Sequence, residues 1–64
     1  MKRIFKNKLY KVTKYYAEQK PAEYFGVMSG EDVRLVVSYN YKYDDNYDMY
    51  FSKSGNIGFS VVEV

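Results

Sequence analysis

Residues 47–64 carry two runs of alternating side chains on either side of Ser54-Gly55-Asn56. Tyr47, Met49 and Phe51 alternate with Asp48, Tyr50 and Ser52, and Ile57, Phe59 and Val61 recur at the same spacing. A period of two marks a half-buried strand. A glycine between two such runs supplies the positive φ of a tight connection. The segment therefore reads as a hairpin with a three-residue loop at 54–56. That loop pairs Lys53 with Ile57, Phe51 with Phe59 and Met49 with Val61, which puts the apolar residues on one face. An isolated hairpin is marginal in water, so the rest of the chain must cover that face.

Two further strands are readable upstream. Lys8 to Tyr16 is rich in Val, Thr and Tyr, types that suit a pleated surface. Phe5, Leu9, Val12 and Tyr16 also fall at helical spacing, but no capping residue precedes the segment, so the strand is preferred. Tyr10 and Val12 share one face; Lys11 points the other way from Lys8 and Lys14. Ala17 to Ala22 holds the single proline of the chain and reads as a connection. Glu23 to Met28 reads as a second strand, antiparallel to the first, with Gly26 marking a bulge or a close backbone approach.

The segment after Ser29 carries two conflicting signals. Ser29-Gly30-Glu31-Asp32 has the form of a helix start: a serine cap, a carboxylate three residues on, and acids at the positive end of the helix. Val33, Val36, Val37 and Tyr41 then share one helical face, with Asn40 ending the run. Against this, Val33, Leu35, Val37, Tyr39, Tyr41 and Tyr43 alternate without a break, and their types favour a strand. The capping pattern decides for the helix. The expected architecture is α+β: a small antiparallel sheet in ββαββ order with one helix packed on a face. The alternative is an all-β barrel or meander of five strands. Asp44-Asp45-Asn46 reads as a turn. The expected core is Val12, Val27, Val37, Phe51, Phe59 and Val61.

The chain has 64 residues, enough for a single domain over 1–64 with a thin core. It contains no Cys and no His. That removes disulfides, thiolate chemistry, the commonest general base and the commonest metal ligand. Asp44, Asp45 and Asp48 lack the glycine and distal Glu of a calcium loop, and no glycine-rich phosphate loop is present. No enzyme, no cofactor and no metal is expected. No apolar run approaches the roughly 18 residues that span a bilayer, and no signal-peptide pattern is visible. A cytoplasmic protein without membrane contact is expected.

Charge and aromatic content point to binding. Residues 1–20 hold seven basic side chains and one acid, whereas residues 21–64 hold three basic side chains and seven acids. Nine Tyr and four Phe exceed what so small a core can hide, and exposed Tyr suits interfaces. Lys8, Lys11, Lys14 and Tyr15 mark a basic segment able to contact phosphates and stack bases. Tyr43, Tyr47 and Tyr50 belong to a run of six aromatics between Tyr39 and Phe51. These seven residues are the expected partner-binding set. A non-enzymatic binding module that takes a host protein, or a protein–nucleic acid complex, is the first expectation. A nucleic-acid-binding protein is the alternative. An unpaired strand edge would also allow a homodimer.

The layout of Tyr10-x-Val12-x-x-Tyr15-Tyr16, then Glu23 to Val33, then a closing hairpin resembles small phage and prophage open reading frames of unknown function. These are commonly drawn as two strands, a capped helix and a closing strand or hairpin. The resemblance spans most of the chain. It implies a host-directed inhibitor or accessory factor acting on a nucleic-acid enzyme or a defence nuclease. No functional residue carries over from it.

Overall fold

The computed structural model describes residues 3–38 and 40–64. Its elements run β1 (Leu9–Tyr16), β2 (Glu23–Ser29), α1 (Gly30–Val36), β3 (Tyr41–Asp44), β4 (Met49–Ser52) and β5 (Ile57–Glu63). The five strands form one antiparallel sheet in the order β2-β1-β5-β4-β3. The fold is a small α+β fold, with the short helix packed against β1 and β2 on one face of the sheet.

Strand β1 is an interior strand, paired on one side with β2 and on the other with β5. Val12 lies opposite Gly26, and Thr13 lies opposite Tyr24, so Phe25 is the extra residue of a bulge. Gly26 carries φ 91°, a conformation glycine adopts without steric cost, and so the expected irregularity at this position is found. The bulge aims Phe25 at the inner face, where its ring meets Phe59 edge-on at 5.6 Å.

The disputed segment is divided between the two readings. Ser29 caps α1, accepting a hydrogen bond from the Asp32 amide at 3.3 Å. The helix then stops at Val36, and Val37 closes it with φ −103° and ψ 36°. Val36 and Val37 are β-branched and have little reason to prolong a helix once the cap has nucleated it. The expected continuation to Tyr41 is therefore wrong: Tyr41 opens β3, a strand absent from the ββαββ layout. The alternation of Tyr41 and Tyr43 was a strand signal there. Tyr39 lies outside the described residues.

The closing hairpin forms, but its register is one residue away from the expected pairing. Tyr50 faces Phe59, Phe51 faces Gly58 and Met49 faces Ser60. The cause is the connection. Ser52 and Ile57 flank a four-residue loop in which the Gly55 amide donates to the Ser52 carbonyl at 2.9 Å. The Ser52 hydroxyl also accepts from the Ile57 amide at 3.3 Å. Gly55 adopts the expected positive φ, at 78°. A slip of one residue moves every side chain of a strand to the opposite face. Tyr50 therefore enters the core, and Met49 and Phe51 move to the other side. Strand β4 also starts at Met49, not Tyr47, because Asp48 takes φ 53° in the preceding turn.

The core consists of Ile4, Tyr10, Val12, Val33, Tyr50, Phe59 and Val61. Of the six expected core residues, Val12, Phe59 and Val61 are buried. Val37 and Phe51 are half-buried, while Val27 is 50% exposed on the far side of the sheet. The residues preceding β1 complete the core as a strap. The Gly30 amide donates to the Lys8 carbonyl at 2.8 Å, and the Glu31 amide to the Lys6 carbonyl at 3.3 Å. These are helix-start donors with no partner inside the helix. The Phe5 amide donates to the Tyr10 hydroxyl at 2.8 Å, and Arg34 donates twice to the Ile4 carbonyl, at 2.9 and 2.6 Å. Ile4 is thereby held over Tyr10 and Val33 in the buried cluster. Among the described residues no helix is long and apolar enough to cross a membrane.

Candidate functional site: the open sheet face and the tyrosine groove

One layer of helix covers only part of one side of the sheet. That leaves two surfaces with apolar character. The first is the whole outer face. Pairing places Leu9, Lys11, Thr13 and Tyr15 of β1 on this face, flanked by Val27 and Tyr24 of β2 and by Val62 and Gly58 of β5. Lys11 stands between Val27 on one neighbour and Val62 on the other. Leu9 is 55% exposed, Val62 53% and Tyr24 64%. Met49 and Phe51 join them from β4, folding over Gly58. A Cβ on Gly58 would stand 2.9 Å from both side chains. Tyr47 meets Phe51 edge-on at 5.8 Å. Exposed apolar residues scattered singly are ordinary; here they neighbour one another across adjacent strands.

The second surface lies on the inner face. The helix sits over β1 and β2, so the β3–β4 end of that face is left uncovered. A groove of about 760 Å³ opens there, between the helix end, the strap and β3–β4. Its floor is Tyr41, Tyr43 and Tyr50, its walls are Ile4, Val37 and Ser38, and Arg3, Arg34, Lys42 and Asp45 stand around it. Tyr43 and Tyr50 lie opposite each other in the ladder with ring centroids 5.2 Å apart. Tyr41 lies opposite Ser52, and its ring meets Phe59 edge-on at 5.3 Å.

Two phenols of this floor hold their protons unusually tightly. The Tyr43 hydroxyl donates to the Asp48 carboxylate at 2.5 Å. That hydrogen bond, with some desolvation and the charges of Asp48 and Asp45, pushes its pKa up to about 12. Tyr50 is also raised above the ordinary phenol range, first by burial and then by Asp48 and Tyr10. Both groups are neutral donors at physiological pH.

The residues expected to bind a partner do not form one surface. Lys11 and Tyr15 lie on the outer face. Lys14 lies on the inner face, its ammonium 5.0 Å from the Tyr16 ring centre and 6.0 Å from that of Phe59. Lys8 precedes β1 and pairs with Glu63 at 3.3 Å, with both side chains half exposed. Tyr47 is exposed beside Phe51. Tyr43 lines the groove, and Tyr50, expected as a surface ring, is only 7% exposed and forms part of the core. Leu9, Val27, Val62, Arg3, Arg34 and Tyr41 were not anticipated as site residues. The adjacent pair Val61-Val62 was the one local sign that β5 is apolar on both faces. Asp44 accepts from the Asn46 amide at 2.8 Å and so belongs to its turn. Among the described residues no group of three or more metal-ligating side chains gathers.

Compared with family models, with curated proteins and with solved structures, the chain shows no significant match.

Proposed function

We propose that this chain is a non-catalytic protein-binding module whose docking surface is the open face of the sheet. The observation that carries the reading is the setting of Lys11, with exposed Val27 and Val62 on its two neighbouring strands. A sheet with an apolar outer face gains by being covered. Among the described residues no acid pairs with Lys11. The complementary partner is a protein surface that is apolar around one carboxylate placed against Lys11. Such a carboxylate keeps the lysine from being buried without a counter-charge.

Charge argues against the other occupants. A nucleic-acid strand needs cations that track its backbone. Here Lys8 is paired with Glu63, Lys14 lies on the opposite face, and the aliphatic end of the surface offers nothing to a phosphate. A second copy stacked face to face would set Lys11 against its own image near a two-fold axis. Edge pairing is also blunted, since β2 carries the Gly26 bulge and β3 has four residues. In biological terms the reading is an accessory or inhibitory protein acting on a host protein in the cytoplasm, the role that a phage-type open reading frame would have.

The test is capture from a host lysate by the immobilised chain and three variants. A partner retained by the wild type, lost with Lys11→Glu and with Val62→Asp, and kept with Leu35→Asp supports the reading. Leu35 is 75% exposed on the helix and serves as the distant control. Retention that ignores both open-face charges, or that disappears on nuclease treatment, overturns it.

A further inference from the structure

The groove on the inner face is chemically unlike the open face and is independent of it. Its floor is aromatic, and Arg3, Arg34 and Lys42 line it with the acid Asp45, while Asp48 is held at the margin by the Tyr43 hydroxyl. One of those cations is set by the fold. Arg34 is fastened through Nε and Nη2 to the Ile4 carbonyl, at 2.9 and 2.6 Å. Two of the five guanidinium donors are thus used, and three remain to be offered to an acceptor. Lys42 lines the groove only from the edge strand β3, where it lies opposite Phe51 and so starts from the outer side of the sheet. Arg3 arrives on the strap, its guanidinium carbon 5.5 Å from the Phe5 ring centre. An arginine that is already oriented loses little freedom on gaining an oxyanion. The phenols add to this. Tyr43 directs its own proton to Asp48, so its ring, not its hydroxyl, is what the groove presents. Flat apolar rings below and an anchored guanidinium beside them select a ligand with the same division.

We propose that this groove is a binding site for a small amphiphilic anion: a flat ring system bearing a phosphate or a carboxylate. The ring rests on Tyr41 and Tyr43, and the anionic group faces Arg34 and Arg3, with Lys42 at the sheet edge. The volume of about 760 Å³ lies within the range of small-molecule pockets, roughly 300–1,000 Å³. Asp45 at the margin disfavours a ligand with a second anionic group on that side.

The experiment is a titration of the isotope-labelled full chain, followed by amide shifts, with four probes. These are adenosine monophosphate, 1-naphthoate, neutral adenosine and inorganic phosphate. Saturable shifts confined to 3, 4, 34, 37, 38, 40–45 and 50 are expected with one or both ring-bearing anions. Adenosine and inorganic phosphate are expected to bind at least about ten-fold more weakly, since each lacks half of the chemistry; such a factor corresponds to about 1.4 kcal/mol. Adenosine monophosphate binding alone assigns a phosphate ligand, and naphthoate binding alone assigns a carboxylate. The double variant Arg3→Gln, Lys42→Gln alters exposed side chains and spares the Arg34–Ile4 anchor. It is expected to weaken binding at least about ten-fold while the remaining amide spectrum stays that of the folded chain. The proposal is overturned if neither ring-bearing anion shifts these amides, if adenosine binds as well as its monophosphate, or if the folded double variant binds unchanged. Lys11→Glu lies on the other face and is expected to leave these titrations untouched, so this site stands or falls apart from the open face.

Discussion

The carbonyl oxygen of Phe5 lies against Gly30, so close that a Cβ at residue 30 would stand 1.8 Å from it. The obstacle is backbone, and it is pinned by the Gly30 and Glu31 amides and by Arg34. Gly30→Ala must therefore displace the strap or the helix. Overpacking of this kind costs about 1–3 kcal/mol or more, and the upper end is expected here by denaturant unfolding. Gly58→Ala is the informative contrast. Its Cβ would meet the Met49 methyl and the Phe51 ring at 2.9 Å, and both can move outward. A loss of about 1 kcal/mol or less is expected. Equal losses for the two variants would show that the strap does not rest on Gly30.

The hairpin register predicts unequal phenylalanines. Phe59 is 3% exposed and touches Phe25 and Tyr41, so Phe59→Ala is expected to cost about 3 kcal/mol or more. Phe51 is half-buried on the outer face, and Phe51→Ala is expected to cost about 1 kcal/mol. A cost for Phe51 as large as for Phe59 would place both rings on the inner face, and the one-residue slip would be wrong.

Ser29 and Arg34 stabilise the helix–strap unit in separable ways. Ser29→Ala removes the acceptor for the Asp32 amide and is expected to cost about 1 kcal/mol. Arg34→Met keeps the apolar stem and loses both bonds to Ile4. Its expected signature is local: faster amide exchange at residues 5–8 than in β5, measured on the native protein. Uniform acceleration throughout the sheet would refute a strap that opens by itself.

Phenol titration reports the Tyr43–Asp48 bond. The folded pKa of Tyr43, about 12, lies above the ordinary value of 10.0. The neutral form is therefore favoured by folding. The stabilisation is complete below the ordinary value and is lost as pH rises through the folded one. Ultraviolet difference titration is expected to show late-ionising tyrosines. In Asp48→Asn, Tyr43 is expected to move down towards 10.0, while Tyr50 stays raised because burial is its first cause. An unchanged Tyr43 in that variant would exclude the hydrogen bond as the cause.

Local signals in this chain were legible because each is a property of one or a few neighbouring residues. Ser29 and Asp32 announced the helix start; Gly26 and Gly55 announced a bulge and a turn that need positive φ; the Val, Thr and Tyr content announced β1, and alternation announced the final hairpin. The sequence by itself thus determined the strand-rich α+β character and the helix position. What only the tertiary structure decided was every choice between faces. Tyr50 and its neighbours Met49 and Phe51 are all able to fill a core, so alternation could not say which set goes inside; the Ser52–Gly55 turn and the space beside Phe59 settled it. The helix ends at Val36, with β-branched Val37 as its cap, and Tyr41 and Tyr43 pair with β4 instead of extending it. Neither candidate surface could be read in advance. The groove draws Arg3, Arg34 and Tyr43 from three separate segments, and Lys11 stands out only because β2 and β5 bring Val27 and Val62 to its sides. Register and coverage are long-range competitions, and a local pattern that is apolar on both faces carries no information about which face will be left open.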